Sequence, residues 1–441
     1  MLDTQTLMDI CEQVLQRSPA AETQVLVSAG TSGLTRFANS TIHQNVAESN
    51  AALSVQAVEG RRVGVARTNN TSLEGLTECV ARACAIARHQ VENPDFPGLA
   101  GPAEYAPVHQ DFGGTPTCGP EQRAAAVAQI CEVARAAGPA ASGAFSTEAS
   151  SLIVANSHGV RAQHVSAGAG LNVTMTGPTS AGRTTAQALR VEDVSARALA
   201  ETAARKALDS ADPVEVEPGE YTVVLEEDAV ADLVDFLGWT GFGAKAVQEQ
   251  RSFLCGRIGR RICGENVTIY DDGLDPTGFA LPFDYEGVPR QRVVLVDRGI
   301  ARGPVYDRTT AAKEGVPSTG HGLPPPATGG PFPLHLCLAP GDSSLEEMLA
   351  STGRGIYVTR FHYTNIVHPI RTELTGMTRD GTFLIEGGRI TRGVRNLRFT
   401  QSILEALSNV ELIGQAAKLV DGTRVPALKV HNFRFSGTTE F

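Results

Sequence analysis

The sequence predicts an α+β fold in two parts, a mixed helix-and-hairpin N-terminal domain over residues 1–215 and a β-rich C-terminal domain over residues 220–441. Three observations point there. Before residue 215, helical periodicities alternate with hairpin signals; beyond residue 252 the patterned segments are almost all strand-like and are cut by Gly, Pro and Asp-Gly turns. Between the halves, Ala211-Asp-Pro-Val-Glu-Val-Glu-Pro-Gly219 is acidic and proline-bearing, the composition of a domain boundary. The 45 glycines and 24 prolines among 441 residues imply many turns, and many turns imply many short strands.

In chain order, residues 1–18 read as an amphipathic helix with Leu7, Ile10, Cys11, Val14 and Leu15 on one face, stopped by Pro19. Thr23–Ala29 alternates as a strand. Gly30-Thr-Ser-Gly33 reads as a turn into Leu34–Ala38. Ala51–Val58 and Arg62–Thr68 flank Glu59-Gly60-Arg61 as a hairpin. Ser72 caps a helix running to about His89. Residues 92–119 carry few periodic signals, and Pro120 then opens a helix with Val127, Ile130 and Ala134 on one face. Strands joined at Asn156-Ser-His-Gly159 fill residues 142–176, followed by a helix from about Asp193 to Leu208.

In the second half, Tyr221–Leu225 is a strand. Asp228 reads as the cap of a helix that turns Val230, Leu233, Val234 and Leu237 inward. Arg292–Asp297 is the clearest strand. Residues 315–333 read as a long Gly/Pro loop containing His321, of the kind that is a lid, a binding loop or disordered. Ser343 or Ser344 caps a short helix. Residues 354–399 then join β-branched and aromatic runs to a hairpin turn at Gly387-Gly388, and Ala427–Phe435 reads as a last strand. No internal repeat is evident.

The net charge of −10 argues against a nucleic-acid partner, because phosphate binding needs a basic footprint. No stretch is apolar enough over sufficient length to span a bilayer, so no membrane partner is expected. Met1 to Pro19 has no basic region ahead of an apolar run, so no signal peptide is expected. The eight cysteines include no CxxC pair, and Cys11, Cys79, Cys84 and Cys131 fall in helical patterns, which suggests reduced thiols in a cytoplasmic protein.

The sequence has no HExxH, no GxxxxGK[ST], no GxSxG and no GxGxxG behind a strand. Histidines are the first candidates for chemistry. His362 and His368 lie in the strand-like stretch at an even spacing, which places both on one face but roughly 20 Å apart, too far to share a metal unless Pro369 or a bulge bends the strand. With His321 they are the catalytic candidates. Arg360, Arg371 and Arg379 are suited to clamp a carboxylate, and with Tyr363 they are the substrate-binding candidates. The simpler account of each is a hydrogen-bonded strand histidine or a solvated strand-edge arginine. Glu226, Glu227 and Asp228 fit helix-start electrostatics; Asp232, between inward-facing neighbours, does not.

Several segments resemble, in order, the TldD/PmbA (TldD/TldE) peptidase family. They are Arg36-Phe-Ala-Asn-Ser-Thr-Ile-His-Gln-Asn45, Val63-Gly-Val-Ala-Arg-Thr-Asn69, Phe283-Asp-Tyr-Glu-Gly-Val-Pro289, Ser318-Thr-Gly-His-Gly322, Gly353-Arg-Gly-Ile-Tyr-Val-Thr-Arg360 and Leu374-Thr-Gly-Met-Thr-Arg-Asp-Gly-Thr-Phe-Leu-Ile-Glu386. The resemblance covers nearly the whole chain. It implies a two-domain α+β subunit that pairs into a hollow dimer whose chamber admits unfolded peptides. In the TldD-type subunit it implies a helix with HExxxH and a later cysteine that together hold zinc. Here the matching helix reads Asp228-Ala-Val-Ala-Asp-Leu-Val-Asp-Phe236, without histidine, and no cysteine follows Leu412. The chain is thus similar to the metal-free TldE/PmbA-type subunit, and no cofactor is expected on it.

Three readings follow: a non-metal partner of a zinc-bearing TldD-like subunit, acting on peptides; an independent hydrolase built near His321, His362 and His368; and a homodimeric peptide-binding scaffold without turnover. Zinc content, histidine substitution and co-purification with an HExxxH-bearing relative separate them.

Overall fold

The computed structural model describes residues 3–439. The helix expected over 1–18 is α1 (Thr4–Arg17), capped by the Asp3 carboxylate, which accepts the Thr6 N–H at 2.8 Å; Met1 and Leu2 lie outside the described residues. The chain then runs through β1 (Glu22–Ala38), β2 (Thr41–Glu59), β3 (Arg62–Thr68) and α2 (Leu73–His89). It continues through α3 (Pro120–Ala137), β4 (Ala140–Asn156), β5 (Arg161–Thr176), β6 (Ala181–Ala188) and α4 (Ala196–Asp209). The six strands form one antiparallel sheet in the order β3-β2-β1-β4-β5-β6.

A helix, three strands and a helix therefore occur twice, and the two units meet where β1 pairs with β4. Each unit centres on an apolar cluster, and the clusters reach across the seam: Ile153 and Ala155 of β4 belong to the first and Phe37 of β1 to the second. Leu7, Val14, Val25, Leu76 and Val80 belong to the first, and Val127, Ile130, Leu171, Ala200 and Ala203 to the second. The closest helix–sheet contacts also correspond. A Cβ on Gly64 of β3 would lie 2.2 Å from the Ala83 carbonyl oxygen in α2, and one on Gly182 of β6 would lie 2.2 Å from the Ala203 carbonyl oxygen in α4. This duplication is carried by topology and by small residues at close contacts, which is why the residue text does not display it.

β1 runs unbroken through Gly30-Thr-Ser-Gly33, where a turn was expected. These glycines serve packing: a Cβ on Gly30 would lie 2.7 Å from the Ala149 carbonyl oxygen on β4, and one on Gly33 would overlap the Arg123 guanidinium of α3. The turn falls instead at Asn39-Ser40, whose φ values of 49° and 56° suit a two-residue hairpin loop.

The second half contains β7 (Gly219–Leu225), α5 (Glu227–Leu237), α6 (Ala244–Gln248), β8 (Ile269–Asp271), β9 (Val293–Asp297), β10 (Ile300–Ala301), α7 (Arg308–Glu314), β11 (Leu336–Leu338) and α8 (Leu345–Ala350). β12 (Arg354–His368), β13 (Glu373–Glu386), β14 (Arg389–Gly393), β15 (Leu397–Ser402), α9 (Ile403–Ser408), β16 (Val410–Val420) and β17 (Thr423–Thr438) follow. The eleven strands form one sheet, and β17 pairs with both β15 and β7, so β17-β15-β13-β12-β7 closes into a ring. Phe361, Phe399, Phe433 and Phe435 stack in its core, with ring centroids 4.5 Å apart for Phe361–Phe399 and 5.3 Å for Phe433–Phe435. Residues 252–290, expected to be strand-like, are mostly irregular; Gly256, Gly259 and Gly287 at positive φ break the segment up. The two halves meet through Leu26, Val154, Val160 and Ala162 of the first sheet packed on Leu281 and Phe283.

Alanine at Gly64 or Gly182 places a methyl group against a helix backbone. Each substitution is expected to lower the unfolding free energy by about 1–3 kcal/mol. Urea denaturation measures it, and an unchanged midpoint would show that α2 or α4 moves aside at no cost.

Candidate functional site

α5 has two faces. Val230, Leu233, Val234 and Leu237 are buried in the C-terminal core, while Asp228, Asp232 and Asp235 recur every three to four residues along another side. The helix cap is Glu226, whose side chain makes no capping bond, so Asp228 is free of the capping role the sequence suggests. Its carboxylate instead contacts Lys418 Nζ on β16 and accepts the Thr185 hydroxyl of β6 at 2.7 Å. Lys418 also reaches Thr185 at 2.8 Å. Burial works against ionisation of Asp228, but the charge and hydrogen bond of Lys418 prevail and hold its carboxyl below the usual range.

The next two aspartates have no cation bound to them. Asp232 accepts the Thr364 hydroxyl of β12 at 3.0 Å, and burial pushes its pKa up to about 6. Asp235 accepts the Thr423 hydroxyl of β17; burial, reinforced by the charges of Asp232 and Asp421, pushes it up to about 6. One helix face thus carries an ionised carboxylate followed by two that titrate just below neutrality.

β12 supplies the facing groups. Arg360 donates Nε–H to Asp380 Oδ2 at 2.8 Å and a second N–H, from Nη2, to the same oxygen. Its Nη1 lies 3.5 Å from His362 Nδ1. Burial, then the positive charges of Arg360 and Arg379, lower the pKa of His362, so its imidazole is neutral at physiological pH. Arg183 on β6 joins the patch, its basicity lowered by burial and by Arg360. The β12–β13 register shifts between His362 and Asn365, and Tyr363 sits there at φ 50° in the left-handed region. That bulge sends Tyr363 outward, 70% exposed and with its ring 4.3 Å from the His362 ring, while Thr364 meets Asp232.

A second shift follows between Ile366 and His368, so the partners of His362 and His368 on β13, Met377 and Glu373, are four positions apart. That puts the two histidines about 13 Å apart along the ladder. His368 accepts the Arg371 backbone N–H at 3.4 Å, and Arg371 pairs with Glu373 at 3.1 Å near the end of the hairpin. Arg379 lies 3.6 Å from Asp380, alongside Arg360.

His321 is fully buried elsewhere. Its Nε2 lies 2.8 Å from Asp271 Oδ1, and its Nδ1 lies 2.9 Å from Thr319. Burial opposes ionisation of Asp271, yet His321, His335 and Arg290 bring its pKa down to about 2. Nearby, Asp284 accepts backbone N–H groups of Glu286, Val288 and Gly322 at 2.9, 2.9 and 2.7 Å. The contacts of His321 share no residue with those of His362 or His368. Among the described residues the patch therefore gathers Arg360, His362, Tyr363 and Arg379 from the sequence candidates, and adds Asp228, Asp232, Asp235, Asp380 and Lys418. The triple aspartate spacing on an otherwise apolar helix is the sequence signal for the first three.

The donor set does not fit zinc. α5 itself carries carboxylates and neither histidine nor cysteine, and each aspartate carboxylate is already engaged by Lys418, Thr364 or Thr423. Among the described residues no three His, Cys, Asp or Glu side chains group so as to hold a metal ion.

Residues 24–87, 119–211 and 218–437 match family models described as PmbA/TldA metallopeptidase domain 1, central domain and C-terminal domain. A metalloprotease TldD homolog of Haemophilus influenzae is 27% identical over 263 residues, 56% of this chain and 54% of that protein, so the match spans about half of its length. Metalloprotease PmbA of Escherichia coli O157:H7 is 23% identical over 90% of this chain and 88% of its own. The crystal structure of TldE from Thermococcus kodakarensis superposes with a TM-score of 0.89 at 20% identity, covering 98% of this chain and all of that one, which establishes a shared fold.

A carboxyl whose pKa is about 6 folded and 3.8 unfolded stabilises the fold below the lower value and loses that contribution as pH rises through the higher. Asp232→Asn removes this term. The variant is expected to lose about 2 kcal/mol less stability than the parent between about pH 4 and about pH 8. Denaturant unfolding across that range checks it; identical slopes would mean Asp232 titrates normally.

Proposed function

The chain belongs to the PmbA/TldD metallopeptidase family, and we propose that within it this chain is the non-zinc partner of a zinc-bearing TldD-like subunit, the pair degrading or trimming unfolded peptides in an internal chamber. The observation that carries this reading is α5. In the resemblance it corresponds to the zinc helix, and here its polar face is three aspartates committed to Lys418, Thr364 and Thr423. The chain's own contribution is to hold substrate. Asp380 fixes the Arg360 guanidinium, which leaves Nη1 near the neutral His362, and Tyr363 stands outward as an amphipathic surface for an extended peptide. Asp232, with a pKa of about 6, is able to accept a hydrogen bond or a proton from a bound amine.

All eight cysteines are free, which suits the reducing cytoplasm in which we place the protein. No helix among the described residues is long and apolar enough to cross a membrane.

Co-expression with an HExxxH-bearing relative is expected to give a stable pair that cleaves unfolded peptide, whereas this chain alone contains no stoichiometric zinc and no activity. Tyr363→Ala or His362→Ala in the pair is expected to lower kcat/KM about tenfold, equivalent to ~1.4 kcal/mol, with pairing and zinc content intact. Stoichiometric zinc with peptidase activity in this chain alone overturns the reading.

A further inference from the structure

Arg123, in the first turns of α3, is 2% exposed and forms no ion pair among the described residues. Its Nε–H donates to Thr35 Oγ1 at 3.3 Å, and Nη1 donates to the Cys118 carbonyl at 2.8 Å and to Thr147 Oγ1 at 3.1 Å. Nη2 has no partner. All three acceptors are neutral, so a full positive charge is buried without a counter-charge, an expensive arrangement for a side chain that packing alone would fill with an apolar residue. Gly33 makes it possible, since any Cβ there would overlap the guanidinium.

Arg123 forms part of the wall of a cavity of about 270 Å³ between β1, β2, β4 and the start of α3. Thr31, Ser49, Thr115, Cys118 and Thr147 contribute the polar lining. Glu48 and Glu148 pass the rim, but both pair with Ser32, and strand alternation turns these three side chains to the opposite face from Thr31, Gly33, Ser49 and Thr147. The cavity face of the sheet is therefore free of carboxylates. The cavity also meets the N-terminal end of α3, an 18-residue helix whose dipole favours negative charge there.

We propose that this cavity binds a single oxyanion group, a carboxylate or a phosphate, which serves as the counter-charge of Arg123. The hydroxyls supply hydrogen bonds, and the volume admits the anion with a short appended chain. This site lies on the N-terminal sheet, separate from the α5–β12 patch, and does not depend on the peptidase reading.

Calorimetric titration of the full chain with inorganic phosphate, with trialanine and with trialanine amide tests it. Saturable binding of phosphate or trialanine is expected. Binding of trialanine but not its amide identifies a carboxylate ligand; binding of phosphate alone identifies a phosphate ligand. Arg123→Met should weaken binding about tenfold or more. Because that variant risks misfolding, Ser49→Tyr, at an exposed position whose larger side chain fills the cavity, should produce the same loss with all bonds of Arg123 kept. No saturable binding of any of the three, or undiminished binding in Ser49→Tyr, overturns the proposal.

Discussion

The contact on which the arrangement of the two halves turns is the Asp228–Lys418 ion pair with Thr185. It joins β6 of the first sheet, α5, and β16 of the second, three segments far apart in sequence. A second tie lies one residue before α5: Glu226 accepts Lys206 Nζ of α4 at 2.7 Å and the Tyr357 hydroxyl of β12. Largely buried pairs of this kind contribute little net stability, but losing one partner strands a charge at a cost of about 3–5 kcal/mol. Both ties are satisfied only when β6 and α4 of the first half lie against α5, β12 and β16 of the second.

That orientation gives α5 its electrical character. Asp228 is neutralised by a cation and stays ionised; Asp232 and Asp235, one and two turns on, meet only hydroxyls and are driven toward protonation. The same residue type at three positions on one helix therefore presents different chemistry, decided by which strand happens to face each turn. On the neighbouring strands β12 and β13, Arg360, Arg379 and the neutral His362 imidazole supply donors.

Much of the fold was legible locally. α1, α2, α3 and α4 follow from apolar periodicity and caps, and β3, β7 and β9 from β-branched runs. What failed was whatever depends on distant partners. Gly30 and Gly33 look like a turn because nothing nearby discloses that β4 and Arg123 press against them. Asp228 looks like a cap because Lys418 is 190 residues away. The even spacing of His362 and His368 left their separation dependent on whether a bulge intervened, and two register shifts do shorten the ladder between them. The segments around Asp284 and His321 carried the family resemblance, and their contact through Asp284 and Gly322 shows why both are needed: each satisfies polar groups the other buries.

The duplicated unit of the N-terminal sheet has a kinetic consequence. Within each unit, the strands are hairpin neighbours and close over short loops. The seam between them is different: β1 and β4 must find register across more than a hundred residues, over a run of seventeen-residue strands with small, polar side chains at its centre. Loop closure of that span is entropically costly, and a weakly patterned seam tolerates slippage. The seam also completes both apolar clusters, since Ile153 and Ala155 of β4 enter the first and Phe37 of β1 the second, so the long-range pairing and the burial of each unit's core are one coupled requirement.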